Sequence, residues 1–399
     1  MKFLKIIGKS LLWILAVVIM LLLIPYMFTP VYNFPEAKPF SGEQWYNPYQ
    51  GLDADVWQKG NFQVQSRVWG GVTDGRNNSN EVIDSTYQFL DYDIIGTSDY
   101  MQINQYHINK PEFISIYEHG YSIFKVHQIV LGAESANWLD YFFWQTPNQK
   151  QKVISALKDE SDVIILAHPC LRNGYETSDL KKISGYDAME ILNFYCESVF
   201  HWDTALSSGR YVAAIGNDDV HDITNPDEVG QYCTFLNTGS LEGDSVVDAI
   251  KRNRTYAVNV FRYVGDSWAL RKDKHDQIGR LEEVDLSGDS LRVSLDRKTK
   301  FIRFIGQNGI LKKQVAEDHS AFYLLQPEDT YIRTEVHFQN GNVFYLNPVV
   351  RYDGKLAAYQ QMPAVNLWMT WAYRIIAILL YAFLLYILYR IGRKSPKKS

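Results

Sequence analysis

The sequence predicts an α/β domain with a parallel sheet or barrel, followed by a small antiparallel β-module, with an apolar helix at either end. Three observations lead there. Apolar runs alternate with segments of helical spacing from about residue 60 to 260, the pattern of successive strand–helix units. From Ser290 onward the period changes to two, with Asn308-Gly309 and Asn340-Gly341 as turn signals. Near each end lies an apolar run of about the length of a bilayer crossing.

Leu11 to Met27 is uncharged and follows Lys2, Lys5 and Lys9, and no small-x-small cleavage pattern follows it, so it reads as an uncleaved anchor. Tyr32 to Gln58 is rich in Pro, Tyr and Asn and reads as an extended lead-in. Asn61–Ser66 alternates as a strand, and Trp69–Gly75 is a glycine-rich loop. Ser79 to Leu90 has a capping residue, an early acid and helical apolar spacing. Strands are expected at 92–96, 125–132, 162–167, 186–193 and 210–215, and helices at 147–159, 201–208 and 242–252. Residues 291–295, 301–305, 331–338 and 343–346 alternate as strands of the second module. Leu367 to Tyr389 is the second apolar run, with Trp368, Trp371 and Tyr373 as an interfacial belt and Arg374 placed to snorkel. Arg390, Arg393, Lys394, Lys397 and Lys398 follow, so both tails are basic and the positive-inside rule puts both in the cytoplasm, with the middle of the chain extracytoplasmic.

Composition narrows the function. A net charge of -5 over 399 residues leaves no general basic footprint for nucleic acid. Three cysteines without a CxxC rule out a disulfide scaffold and leave a single disulfide open, its pairing undecided.

Chemistry concentrates where expected strands end: Asp99, Glu134, His168, Asp219 and His221. The ends of barrel strands are where catalytic groups converge. Asp219 and His221, two apart after an apolar run, face one side of an extended segment and suit a divalent metal, although Asx-rich turns have the same composition. His127 falls on the opposite strand face from Glu134 and reads as structural, and His107, His119 and His201 flank aromatics as packing residues. A glycosidase pair, Glu134 with Glu190, has nothing to fix its separation.

The ordered set Thr73-Asp74-Gly75, Gly132-Ala133-Glu134, Ala167-His168-Pro169 and Asp219-Val220-His221, with Tyr186–Asn193 between the last two, resembles the polymerase and histidinol phosphatase (PHP) family over about residues 58 to 260. Arg333 with Asn347-Pro348 resembles the β-domain of some membrane-anchored relatives. The resemblance implies a distorted (β/α)7 barrel, and phosphoester hydrolysis by two or three zinc or manganese ions. The departures are specific. The family's His-x-His falls at Gln63-Val64-Gln65, and its Thr-Asp-His at Ser98-Asp99-Tyr100. A neutral amide is a weak ligand, so three imidazoles are missing.

By this resemblance Glu134, His168, Asp219 and His221 would hold a divalent metal, zinc or manganese: one ion rather than three, or none. His168 would also be catalytic, with Asp74 and Asp99 orienting substrate or accepting a proton. The expected organisation is tail and helix at 1–28, linker 29–57, PHP-like barrel 58–265, β-sandwich 280–352, second helix 366–390 and basic tail 391–399. The function implied is a membrane-anchored phosphoesterase acting on a phosphorylated small molecule or cell-envelope ligand. The alternative is a pseudoenzyme, an inactive extracytoplasmic binding or assembly domain.

Overall fold

The computed structural model describes residues 2–73, 75–356 and 361–393. It is a mixed α/β protein with eight α-helices among the described residues, several sheets, and long apolar helices at its two ends. Asp74 and the basic residues Lys394, Lys397 and Lys398 lie outside the described residues.

A five-stranded sheet carries, in order, Ile116–His119, Gln128–Leu131, Val163–Leu166, Ala188–Asn193 and Ala213–Asn217. The last three strands run parallel, whereas Gln128–Leu131 is antiparallel to both its neighbours. Every residue of these strands is buried, so both sheet faces are covered. That is why Val163-Ile164-Ile165-Leu166 is apolar throughout rather than alternating.

The nine-stranded sheet starts at Ile94–Thr97, parallel to Trp57–Val64. It continues antiparallel through Tyr232–Asn237, Thr255–Asn259, Val343–Tyr352, Tyr331–His337 and Phe301–Gly306 to Ile310–Ala316. Strands from both modules therefore share one sheet. Isolated bridges, Val64 to Val220 and Tyr100 to Glu118, link it to the five-stranded sheet; among the described residues no continuous ladder does. A third sheet, Leu281–Ser287, Ser290–Leu295 and Ser320–Leu324, lays Leu291, Val293 and Tyr323 on the core formed by Ile302, Phe304 and Val336.

Helix starts follow local chemistry. The Ser79 hydroxyl accepts from the Val82 N–H at 3.3 Å and opens Asn80–Phe89. Pro147 opens Pro147–Lys158, where the Gln149 side chain accepts the Thr146 N–H at 2.9 Å. Periodicity alone does not mark the strands Ile116–His119, Tyr232–Asn237 and Thr255–Asn259 or the helix Trp268–Asp276.

The second module is bolted to the first by buried polar groups. Arg333 donates to both Asp203 carboxylate oxygens at 2.6 and 2.8 Å and to Glu335 at 2.7 Å, tying Tyr331–His337 to the helix Val199–Ser207. The Asn347 amide donates to the carbonyls of Asn253 and Thr255 at 2.9 Å and accepts the Ala214 N–H at 2.7 Å.

Helices Lys2–Met27 and Leu367–Arg393 are long and apolar enough to cross a membrane, with windows of mean hydropathy 2.5 and 2.0. They pack side by side: Tyr373 Oη donates to the Tyr26 carbonyl at 2.8 Å and Tyr381 Oη to that of Met20 at 3.0 Å. Tyr32–Asn33 pairs antiparallel with Ala364–Val365 where the two helices begin and end.

Candidate metal centre

Glu118 is the centre of the polar cluster. It sits on Ile116–His119, whose partner strand places Ile129 opposite Glu118. His127, two residues before Ile129, is therefore the diagonal neighbour on the same face. Its Nδ1 lies 2.6 Å from Glu118 Oε1. His168, one residue beyond Ala167 after the strand Val163–Leu166, brings its Nε2 to 3.5 Å from the same oxygen. One ligand atom from each of Glu118, His127 and His168 lies within 4.8 Å of the others, and all three residues are buried.

Asp219 and His221 stand beside this triplet, with Asp219 Oδ1 3.5 Å from His221 Nε2. His168 and Asp219 both have left-handed backbones, with φ of 31° and 55°. Non-glycine residues persist there only when their surroundings hold them. The His168 N–H donates to Glu190 Oε2 at 2.8 Å. The Asn193 amide donates to Asp219 Oδ2, Glu190 Oε2 and Gln63 Oε1 at 3.0 to 3.1 Å. Asn217 donates to Glu190 Oε1 at 2.6 Å.

Burial alone would raise the pKa of Glu118, but the two histidines overcome it and hold the carboxylate well below its usual range. Burial pushes His127 down against the pull of Glu118. His168 is raised: burial works against its charge, but Glu118, Asp219 and Glu190 outweigh that. His221 feels the same opposition and is pushed up to about 9, chiefly by Asp219. Glu190, with burial dominant, rises to about 7.

The residues singled out by sequence separate into groups. His168, Asp219 and His221 converge. Glu134 does not: it is exposed beside a different cavity, with Gly132 and Asp162. The cause is strand direction. Gln128–Leu131 runs against Val163–Leu166, so its start, at His127, meets the cluster while its end, toward Glu134, points away. His127, expected to be structural from its strand face, is the residue that reaches Glu118 and His168. Asp99 is a structural clamp: its carboxylate accepts the Ser66 N–H at 2.7 Å, the Ser66 hydroxyl at 2.8 Å and the Asn104 amide at 2.9 Å. Gln65 donates to Glu118 Oε2 at 2.7 Å and to the Ser98 carbonyl at 2.8 Å. Tyr100 stacks at 6.3 Å from His221 and edge-on at 5.6 Å from His127. Glu118 escaped the sequence reading because its four-residue strand shows no clean period; the signal available was an apolar run ending in Glu118-His119-Gly120 just before another strand.

With Glu118 buried behind them, His127, His168, Asp219 and His221 line a cleft of about 640 Å³. Its upper walls are aromatic and apolar, including Trp69, Met101, Trp138 and Leu171, with Lys125 and Arg172 among them. The Cys170–Cys196 disulfide joins the loop carrying Leu171 and Arg172 to the loop carrying Tyr195. Cys233 is free and buried. Among the described residues, His168 Nδ1 and Asp219 Oδ1 are buried polar atoms without a hydrogen-bond partner in the protein. An imidazole nitrogen and a carboxylate oxygen of this kind, beside Glu118 and His127, fit a small divalent cation with an open coordination position.

No protein-family model matches the chain, and no curated protein does. Among solved structures, it is similar to a two-domain protein from Bacteroides vulgatus ATCC 8482 containing a predicted PHP-like metal-dependent phosphoesterase, at 15% identity and a TM-score of 0.36, over 79% of this chain and 93% of that one.

Proposed function

We propose that this chain is a membrane-anchored, metal-dependent phosphoester hydrolase on a distorted seven-stranded barrel of PHP type, with a reduced metal site. The observation that carries the reading is the buried triplet Glu118, His127 and His168, whose two histidines line an open cleft together with Asp219 and His221. The triplet would hold one zinc or manganese ion, with Asp219 within reach. Such an ion lowers the pKa of water and offsets phosphoryl charge. The chain's own groups do the rest. Asp219 Oδ1, which has no hydrogen-bond partner in the protein, accepts the proton of the attacking water. As the water oxygen bonds to phosphorus, the P–O bond to the alcohol breaks and His221 Nε2 protonates the leaving oxygen. Their 3.5 Å contact returns the proton from Asp219 to His221. Gln65, on Glu118 Oε2, fixes the carboxylate. The strand pairs Trp57–Val64 with Ile94–Thr97 and the two isolated bridges support the barrel.

The test is metal content and phosphate release of the full chain after zinc or manganese loading. About one ion per chain is expected, lost in Glu118→Gln and in His168→Ala, with phosphate release down at least about 100-fold. An ion retained by both variants would sink the site. The binding-domain alternative draws on one observation: Gln65, at a family histidine position, occupies one oxygen of Glu118 with an amide hydrogen bond. It predicts no bound ion and a melting temperature indifferent to chelators.

A further inference from the structure

We infer that the cleft opens at the membrane surface and receives an amphiphilic phosphoester from the bilayer, its phosphate on the polar floor and its chain along the aromatic wall. This rests on the hydrolase reading above and narrows it to a substrate class.

The path from anchor to cleft is continuous. Tyr26, at the end of the first apolar helix, is buried in the main core with Tyr141 and Val153, so the anchor is docked into the domain. Its hydroxyl donates to the Trp144 carbonyl at 3.1 Å and accepts the Phe143 N–H at 3.0 Å. Because the apolar window ends at Met27, Tyr26 falls at interface depth, and so does Trp144, packed 6.1 Å from its ring. Six residues earlier, Trp138 lines the cleft. Six residues reach at most about 20 Å, so the cleft wall lies that close to the interface.

The segment between them is stitched to a second loop. Ile123 N–H donates to the Phe142 carbonyl at 3.0 Å, Tyr121 N–H to Asp140 at 2.7 Å and the Ser122 hydroxyl to the Phe143 carbonyl at 3.2 Å. Together the loops expose Ile123, Phe124, Trp138 and Trp144, the tryptophans at 58% and 60%. A contiguous exposed apolar rim beside an anchor marks a membrane-facing surface. Arg172, held to the Ile123 carbonyl at 2.9 Å, and Lys125 supply cations between rim and floor, where a phosphate headgroup would pass.

The test uses the full chain in phosphatidylcholine vesicles and two readouts. Quenching of tryptophan fluorescence by brominated phosphatidylcholine should fall in Trp144→Phe; an unchanged quenched fraction places Trp144 in water and overturns the inference. Phosphate release is then compared between hexadecyl phosphate in the vesicles and water-soluble butyl phosphate. A preference of at least about tenfold for the long chain is expected, no more than burial of about two methylenes provides. Phe124→Ser with Trp144→Ser should remove most of that preference and leave butyl phosphate hydrolysis unchanged. Equal rates for both esters overturn the inference and leave the hydrolase reading intact. Release from neither sinks the hydrolase reading and the substrate assignment with it, and the quenching result alone then decides whether the cleft faces the membrane.

Discussion

At the scale of single residues, the site depends on amides more than on its acids and bases. Asn193 alone holds Gln63, Glu190 and Asp219 by three donated hydrogen bonds in a fully buried setting. Removing it leaves Gln63 Oε1 and Asp219 Oδ2 without a donor, while Glu190 Oε2 keeps the His168 N–H. Asn193→Ala is expected to lower unfolding free energy by about 3 kcal/mol in urea titration; a loss under about 1 kcal/mol would show that the network is relaxed rather than holding. Sequence made His168, Asp219 and His221 legible because each follows an apolar run that is a strand or leads straight from one. Glu118 was not legible, since the identity of a metal ligand depends on which end of its strand reaches the cluster. That is a property of the sheet and not of the residue's neighbours in sequence.

The same point governs whole elements. Helices announced themselves through Ser79 and through Thr146-Pro147, because caps are local chemistry. The reversed strand Gln128–Leu131 could not, because a buried strand reads alike in either direction. The reversal moved Glu134 out and His127 in. The second module's alternating strands were legible, but their merger with the first sheet through Thr255–Asn259 and Val343–Tyr352 was not, since pairing partners 84 or more residues apart leave no periodic trace. The Arg333 cluster that locks these modules sets a pH dependence. Burial would raise Glu335, but His337 and Arg333 outweigh it and hold it at about 2, below its ordinary 4.5. A carboxyl depressed on folding contributes stability above its unfolded value and loses it as pH falls toward the folded one. Up to roughly 3 kcal/mol should therefore disappear between about pH 4.5 and 2. Urea midpoints measured from pH 6 down to 3 should decline more steeply in the wild type than in Glu335→Gln; parallel declines would show that this carboxylate is not a determinant.

Across the whole molecule, the paired end helices, the basic residues flanking both and the Cys170–Cys196 disulfide point the same way. Disulfides persist in oxidising compartments, and basic tails stay in the cytoplasm. On the proposed topology, with both termini cytoplasmic, protease added to intact cells should reach the domain and spare tags at the two ends. Cleavage of the tags with the domain protected would reverse the arrangement.

The pairing of first and last segments also orders events in time. Gln44–Tyr46 finds its partner in Val350–Tyr352, and Tyr32–Asn33 finds its own at Ala364–Val365. Tyr49 donates to the Thr255 carbonyl and receives the Asn347 N–H, both at 2.6 Å. These first segments meet side chains near Tyr141 and Tyr211 early, but their strand partners come about 300 residues later. Contacts this distant are slow to form, and unfinished chains leave sheet edges open meanwhile. On the proposed membrane-spanning arrangement, the domain would leave the membrane with its first strands unpaired and close them only when the second apolar helix arrives beside the first.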